Sequence, residues 1–306
     1  MKKNPSLRSA RRFLLGTLPA ALILSACTPD EQSDGKDNAE CSHVYAYMPA
    51  PGQFINEGYT LATMEEACAW AEDRLRQRLY VSLGAFGGYI VVGFDHAVSN
   101  DGGYNLSIRG NAYSGNSEPG IVWVMRDDNG NGLPDDTWYE LWGSDADSTS
   151  TWRDYTVTYK RPTQAAQPVP WTDNHGQAGT VDYLAAYHRQ DSYYPLWAAS
   201  ENLVLTGTRL ASHSHDASGN GTLWLNGNLD WGYADNFSSE DLFADPDGLV
   251  CNHFRINDAR DAGGKPVRLD EIHFVKIQTG VLAQCGWIGE VSTEVIAIRD
   301  YNLLKK

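Results

Sequence analysis

Gly84-Ala85-Phe86-Gly87-Gly88-Tyr89-Ile90-Val91-Val92-Gly93-Phe94 is the stretch that decides the fold. Its first half is glycine-rich. Its second half is a short run of β-branched and aromatic residues, which reads as a strand. Because the glycines lead into a strand rather than into a helix, they do not form a phosphate-cradling nucleotide loop. The same texture continues on both sides. Tyr80–Leu83, Tyr104–Ile108, Ile121–Met125, Trp138–Trp142, Tyr155–Tyr159, Leu203–Leu205, Thr222–Leu225, Ile272–Ile277 and Val291–Ile298 are short apolar or aromatic runs, separated by Gly, Asn, Asp and Pro. Many short strands with little helix predict an antiparallel β-sandwich, jelly-roll-like, as one domain over residues 41–306. The irregular, aromatic-rich stretch between Pro162 and Ser200 reads as long ordered loops over one edge of the sandwich.

One N-terminal helix is expected. Thr63 can cap it, and Glu65 and Glu66 suit the positive end of its dipole. Cys68, Ala71, Leu75 and Leu79 would share its buried face, with Glu72 and Arg76 at i,i+4 spacing. A first strand is expected around His43–Met48.

The start of the chain addresses it. Lys2, Lys3, Arg8, Arg11 and Arg12 precede an apolar run from Phe13 to Leu24, and Leu24-Ser25-Ala26-Cys27 closes it. That order is the signature of an exported chain. The cysteine after Leu-Ser-Ala resembles a bacterial lipoprotein signal. Residues 1–26 would then be removed, and Cys27 acylated. A transmembrane span needs roughly 20 apolar residues, and Gly16 and Pro19 interrupt this run. The main rival is an ordinary cleaved leader that leaves Cys27 free. Residues 27–40 are polar and acidic and read as a flexible tether.

The 306-residue chain carries 24 basic and 39 acidic residues. The five basic residues of the leader leave 19 against 39 in the mature chain, a net charge of −20. This argues against nucleic acid and anionic membrane surfaces as partners. It suits a cell-surface protein or a cation binder. Beyond Cys27 there are four cysteines, Cys41, Cys68, Cys251 and Cys285. An even number in an exported chain predicts two disulfides. Of the three pairings, Cys41–Cys68 and Cys251–Cys285 close the shorter loops and are favoured.

The sharpest local motif runs from Asp127 to Asp136, followed by Glu140. Asp127, Asn129 and Asn131 place oxygens at alternate positions, and calcium takes six to eight oxygen ligands. The run resembles the first half of an EF-hand loop but has Trp138 where the bidentate Glu should stand. Asp127, Asn129, Asn131, Leu133, Asp135, Asp136 and Glu140 are therefore the candidate residues for a structural calcium ion. The competing reading is an Asn-Gly hairpin turn that binds nothing.

Enzyme signatures are sparse. His213-Ser214-His215-Asp216 lacks a further ligand pair and reads as a surface turn. Asp95-His96 at a strand end reads as structural. There is no Gly-x-Ser-x-Gly elbow. Glu118, Glu140, Glu290 and Glu294 can serve as a glycosidase acid and base only if the fold brings two of them to the right separation. No catalytic residue is assigned. Ten Trp and sixteen Tyr are many for this length. Rings with a polar tip stack on sugars and planar ring systems. Trp171, Tyr193, Tyr194, Trp197, Trp231 and Tyr233 are the candidate ligand-binding aromatics, and Trp287 also lies in a loop-like context.

Five stretches taken together, namely Ser82–His96, Gly110-Asn111-Ala112 with Ser117-Glu118-Pro119-Gly120, Asp127–Glu140, Trp231–Asn236 and Cys285–Val295, resemble the cell-surface lipoproteins of Bacteroidota that share a Gly-Gly-Phe-Gly-Gly-Tyr-Ile motif. Ala85 stands where that motif usually has glycine. Pro49–Phe54 matches the start of the same domain, and the resemblance covers about residues 44–300. It implies an outward-facing outer-membrane lipoprotein that accompanies a nutrient receptor. Its ligand would be a corrinoid such as vitamin B12 first and a glycan second, captured without turnover. A cell-surface adhesion module and a secreted glycoside hydrolase-like enzyme are the alternatives.

Overall fold

A computed structural model describes residues 38–306. The leader, Cys27 and most of the tether lie outside the described residues. In chain order the elements are β1 (His43–Met48), α1 (Met64–Arg76), β2 (Val81–Ser82), β3 (Tyr89–Ser99), β4 (Leu106–Arg109), β5 (Gly120–Met125), β6 (Trp138–Leu141), β7 (Trp152–Lys160), β8 (Val169–Asp173) and β9 (Ala178–Val181). They continue with β10 (Asn202–Arg209), β11 (Ser214–Asp216), β12 (Trp224–Asn226), β13 (Leu242–Ala244), β14 (Val250–Phe254), β15 (Ala259–Arg260), β16 (Glu271–Thr279), β17 (Glu294–Val295), β18 (Ala297–Asp300) and the short α2 (Tyr301–Leu304). The protein is mainly β, and its sheets are antiparallel, as expected. No described helix is long and apolar enough to cross a membrane.

The largest sheet has six strands in the order β1-β3-β16-β5-β6-β15. Its centre is built from the decisive stretch: Ile90, Val91 and Val92 on β3 pair with Ile277, Lys276 and Val275 on β16. Ile90, Val92, Val122, Val124, Val275 and Ile277 pack with Leu106, Ile108 and Ile298 from a four-stranded sheet ordered β13-β14-β4-β18. Helix α1 joins this core through Ala67, Ala71 and Leu75. A second four-stranded sheet, β10-β7-β8-β9, has its own core of Tyr155, Val157, Tyr159, Val169 and Leu205 around Phe86. The decisive stretch thus feeds both cores. Gly87 and Gly88 sit where no side chain fits: a Cβ on Gly87 would lie 2.7 Å from Leu205 Cβ, and one on Gly88 would strike the Leu83 carbonyl.

Thr63 caps α1 by accepting the Glu66 N–H at 3.1 Å, and Glu72 and Arg76 pair at 3.3 Å. Leu79 departs from the expected face. The helix ends at Arg76, Arg78 takes a left-handed φ of 55°, and Leu79 is exposed. The stretch read as loops contains the hairpin β8–β9, which extends the second four-stranded sheet.

The four described cysteines are free, which corrects both expected disulfides. No two of them lie at disulfide distance. Cys251 is buried on β14 and donates to Asp245 Oδ2 at 3.5 Å, whereas Cys285 is buried in a different cluster with Leu210, Tyr233 and Val291. Cys41 is held beside β18 by its N–H to the Ile298 carbonyl, while Cys68 rides on α1. Burial pushes the Cys41 thiol up to about 12.

Residues 39–41 run along the outer side of β18. Glu40 pairs with Arg299, and Asp300 N–H reaches the Ala39 carbonyl at 2.7 Å. Arg299, itself buried, binds Asp245 at 2.8 Å and Asp247 at 2.7 Å and lies 3.2 Å from Glu40. Arg78 reaches the same Glu40 oxygen at 3.0 Å.

Candidate functional site

Most of the aromatics singled out in the sequence are structural. Tyr193, Tyr194, Trp197 and Tyr233 are all buried, and their polar tips are used internally. Trp197 Nε1 donates to the Tyr47 carbonyl, Tyr194 Oη to the Ser200 carbonyl and Tyr193 Oη to the His188 carbonyl. Tyr233 Oη accepts the Asp145 N–H. Trp171 is half-buried over Gly179, where a Cβ would meet its ring at 2.6 Å. Burial places Tyr193, Tyr194, Trp197 and Tyr233 in the scaffold, and Trp171 packs on the bare backbone of Gly179. Trp231 is half-buried and lines a 420 Å³ cavity with Trp142, Tyr104, Asp241 and Arg255.

In the Asp127–Asp136 loop the side-chain oxygens turn back on their own backbone. Asp127 accepts N–H groups from Gly130, Asn131 and Gly132, Asn131 accepts Leu133 N–H, and Asp136 accepts Asp128 N–H. Asn129 and Asn131 donate their amides to Asp135. These backbone donors hold the Asp127 carboxyl below the usual carboxylate range. Glu140 does not complete this loop. It is buried on β6 and accepts the Thr208 hydroxyl at 2.6 Å.

The fold makes a different acidic centre. Glu118 follows the turn into β5, Asp235 precedes Asn236 in the Trp231–Asn236 stretch, and Glu294 opens β17. Each offers a carboxylate oxygen, and these oxygens lie within 4.8 Å of one another. All three residues are buried. Among the described residues no other three His, Cys, Asp or Glu converge in this way. Backbone pairing sets the spacing: Glu118 N–H donates to the Asp235 carbonyl at 2.9 Å, and Glu294 N–H donates to Asp235 Oδ2 at 2.9 Å. Asp235 Oδ1 also accepts the N–H groups of Asn111 and Ala112 at 2.7 and 2.8 Å. Asp235 adopts a left-handed φ of 54°, a conformation Asp tolerates better than most residues. Gly110 is required beside it, because a Cβ there would lie 2.7 Å from the Asp235 Cα and run into its carboxylate.

The electrostatics follow from this crowding. Burial raises the pKa of Glu118, and the Asp235 charge raises it further. Burial raises Glu294 strongly, with Glu118 and Asp235 adding to it. Burial raises Asp235 too, but its three backbone donors and the more distant Arg109 oppose the rise. Hydrogen bonds from N–H groups favour a carboxylate over an acid. The backbone donors thus favour the charge on Asp235, while burial and the neighbouring carboxylates favour the neutral acid at Glu118 and Glu294. A divalent cation held by the same three residues would take the place of the acids' protons, and would still need three or more oxygens beyond the triad to satisfy calcium.

Glu118 and Glu294 form the floor of a 280 Å³ cleft, whose walls include Phe54, Tyr187 and Trp287. Tyr187 is 65% and Trp287 51% exposed, unlike the scaffold rings. Gln53, Asn111 and Asn116 add amides, and His188, stacked edge-on against Phe54 at 4.9 Å, is the only basic side chain among the lining residues. Gln53 is buried and its Oε1 has no hydrogen-bond partner. Beside the cleft, Glu290 accepts the Gln53 N–H at 2.7 Å through Oε1, while Oε2 has no partner. Burial pushes Glu290 up to about 8.

Two members of this centre, Glu118 and Glu294, stood among the four glutamates considered for acid–base work, and Trp287 among the loop aromatics. Asp235 and Tyr187 were missed. Asp235 lies within a motif that carried the family resemblance, and that was the available signal. No protein-family model matches the chain, and no curated protein matches it.

Proposed function

We propose that this chain is an outward-facing outer-membrane lipoprotein that captures a nutrient without turning it over, and that the nutrient is a glycan. The observation that carries this reading is the cleft: exposed Trp287 and Tyr187 stand over two buried carboxyl groups and a set of amides. Flat rings stack on sugar faces, and neutral acids and amides both donate to and accept from hydroxyls. Ligand pockets typically measure about 300–1,000 Å³. At 280 Å³ the cleft suits one or two sugar rings better than an enclosed corrin macrocycle. The corrinoid thus becomes the second ligand, bound across an open face.

An enzymatic reading has one observation in its favour, the proximity of Glu118 and Glu294. In retaining glycosidases two carboxyl groups stand about 5–5.5 Å apart, one protonated and one not. Here the two residues share one burial-raised environment rather than two contrasting ones, which favours capture.

Affinity electrophoresis against a polysaccharide panel tests the proposal, alongside gel filtration with cobalamin and a reducing-end assay. Retardation by a glycan that is lost in Trp287→Ala supports it. Co-eluting colour with no retardation selects the corrinoid, release of reducing ends selects hydrolysis, and none of the three leaves adhesion. A structural calcium ion at Asp127–Asp136 is part of the same proposal. It is tested by chelation, which must lower the melting temperature if an ion is bound.

A further inference from the structure

On the face of the six-stranded sheet opposite the main core, Lys276 lies on β16 directly across from Trp123 on β5, and Trp123 lies across from Glu140 on β6. Residues paired in this way share a face of the sheet. An amine, an indole and a carboxyl therefore form one row. The Lys276 amine sits 5.0 Å from the Tyr89 ring centroid and 5.5 Å from that of Trp123. Among the described residues no carboxylate comes within ion-pair distance of it. It opens instead on a 160 Å³ cavity, walled by Trp138, Thr208 and Gly207 and faced by the charged groups Glu140, Arg153, Asp154 and Asp261. This cavity is separate from the acidic cleft, and none of its lining residues is shared with it.

We propose that this cavity takes a small aldehyde, which Lys276 holds as an imine. A lysine desolvated among rings and left without an ion pair is the activated form of this nucleophile. Burial pushes the amine down to about 8, against the opposing pull of Glu140. Burial also raises the Glu140 carboxyl, which stands in the same row. The step balances without a redox partner. The neutral amine attacks the carbonyl carbon, an N–C bond forms, the C=O π pair moves to oxygen, and that oxygen takes up a proton released by the nitrogen. The carbinolamine then loses that oxygen as water, a proton passing from the nitrogen through the Glu140 carboxyl group to the leaving oxygen, and C=N forms. Amine and aldehyde give imine and water. The 160 Å³ volume limits the ligand to a few carbons.

The test uses the full-length folded protein, glyceraldehyde as the probe and cyanoborohydride to trap the imine, followed by peptide mapping at pH 8. An ordinary lysine, with a pKa near 10.4, is neutral to well under one part in a hundred there. Lys276 is expected to be labelled at least about ten-fold faster than the exposed Lys160, Lys265 and Lys306, and to saturate with aldehyde concentration. Lys276→Arg should abolish the fast adduct in the intact mass and leave the slow ones. If that variant does not fold, the wild-type map alone decides. Labelling of Lys276 at or below the rate of the exposed lysines, or without saturation, overturns the proposal.

Discussion

Replacing Glu290 with glutamine should stabilise this protein at alkaline pH and do little in acid. Glu290 is 2% exposed, receives one backbone N–H and leaves its second oxygen without a partner. Its pKa rises from an ordinary 4.5 to about 8 because burial penalises the charged form. A group whose folded pKa is raised adds stability that is fully present below the unfolded pKa. That stability is lost as pH climbs through the folded value. The window here runs from about pH 4.5 to above pH 8. At 1.36 kcal/mol per pH unit, ionising Glu290 in place costs the fold about 5 kcal/mol by pH 9. Glu290→Gln keeps the shape, keeps an acceptor for the Gln53 N–H and removes the charge. At pH 5 the two proteins should therefore melt within a degree or two of each other. At pH 9 the variant should lead by about 3–5 kcal/mol, or roughly 6–20 °C at about 2–4 °C per kcal/mol for a domain of this size. Thermal melts at pH 5, 7 and 9 and constant ionic strength measure this. The Glu290 charge also acts on Glu118, so a small part of the gain comes through the triad. A melting difference that stays constant with pH, or a variant less stable at pH 9, would refute the reasoning.

Three further outcomes are expected. Trp287→Ala removes an exposed wall of the cleft and should weaken glycan binding by about 1–2 kcal/mol, roughly five- to thirty-fold, with the melting temperature unchanged; undiminished retardation in the affinity gel would move the ligand elsewhere. Gly110→Ala drives a methyl group into the Asp235 backbone and carboxylate and should cost about 3 kcal/mol, visible as a lowered melting temperature. Because the described cysteines are free, adding reductant should leave the melting curve in place, and the buried Cys251 and Cys285 should react with a thiol reagent only after denaturation; a reductant-sensitive melt would restore a disulfide.

The strands were legible because β-branched and aromatic residues recur between turn residues, and β3, β5, β6 and β16 appear within a few residues of where the pattern puts them. The β8–β9 hairpin was hidden by Pro170, which a central strand seldom tolerates, and by Gly176 and Gly179, which dilute the alternation. The helix was legible to its last turn, but Leu79 was not. Its spacing fits the helix, yet the left-handed residue at Arg78 turns the chain away first. The site was half legible. Sequence reveals which residues are acidic or aromatic, but not which of them are covered. Tyr193, Tyr194 and Trp197 looked like an exposed patch because a Tyr-Tyr-Pro-Leu-Trp run in a loop context carries no periodicity to mark it as core. Glu118, Asp235 and Glu294 come together only through backbone hydrogen bonds between segments distant in sequence, and nothing local encodes that meeting. The disulfides failed on position: an even count states that pairing is possible, while no two of these cysteines lie at disulfide distance and Cys251 and Cys285 have different neighbours.

The pairing of residues 39–41 with β18 has a mechanical consequence. Any force drawn through the N-terminal segment enters the domain at Ala39 and Glu40, beside the last strand of the chain. The first resistance it meets is the antiparallel rung to Asp300 and the four-way ionic knot of Glu40, Arg78, Arg299 and Asp247. Such a pull would thus be borne by charge pairs at one edge before it reached the Ile90–Val275 core. The knot works as a strain relief, in the sense of a cable clamp, and it would slacken in high salt, where ionic contacts at the surface are screened.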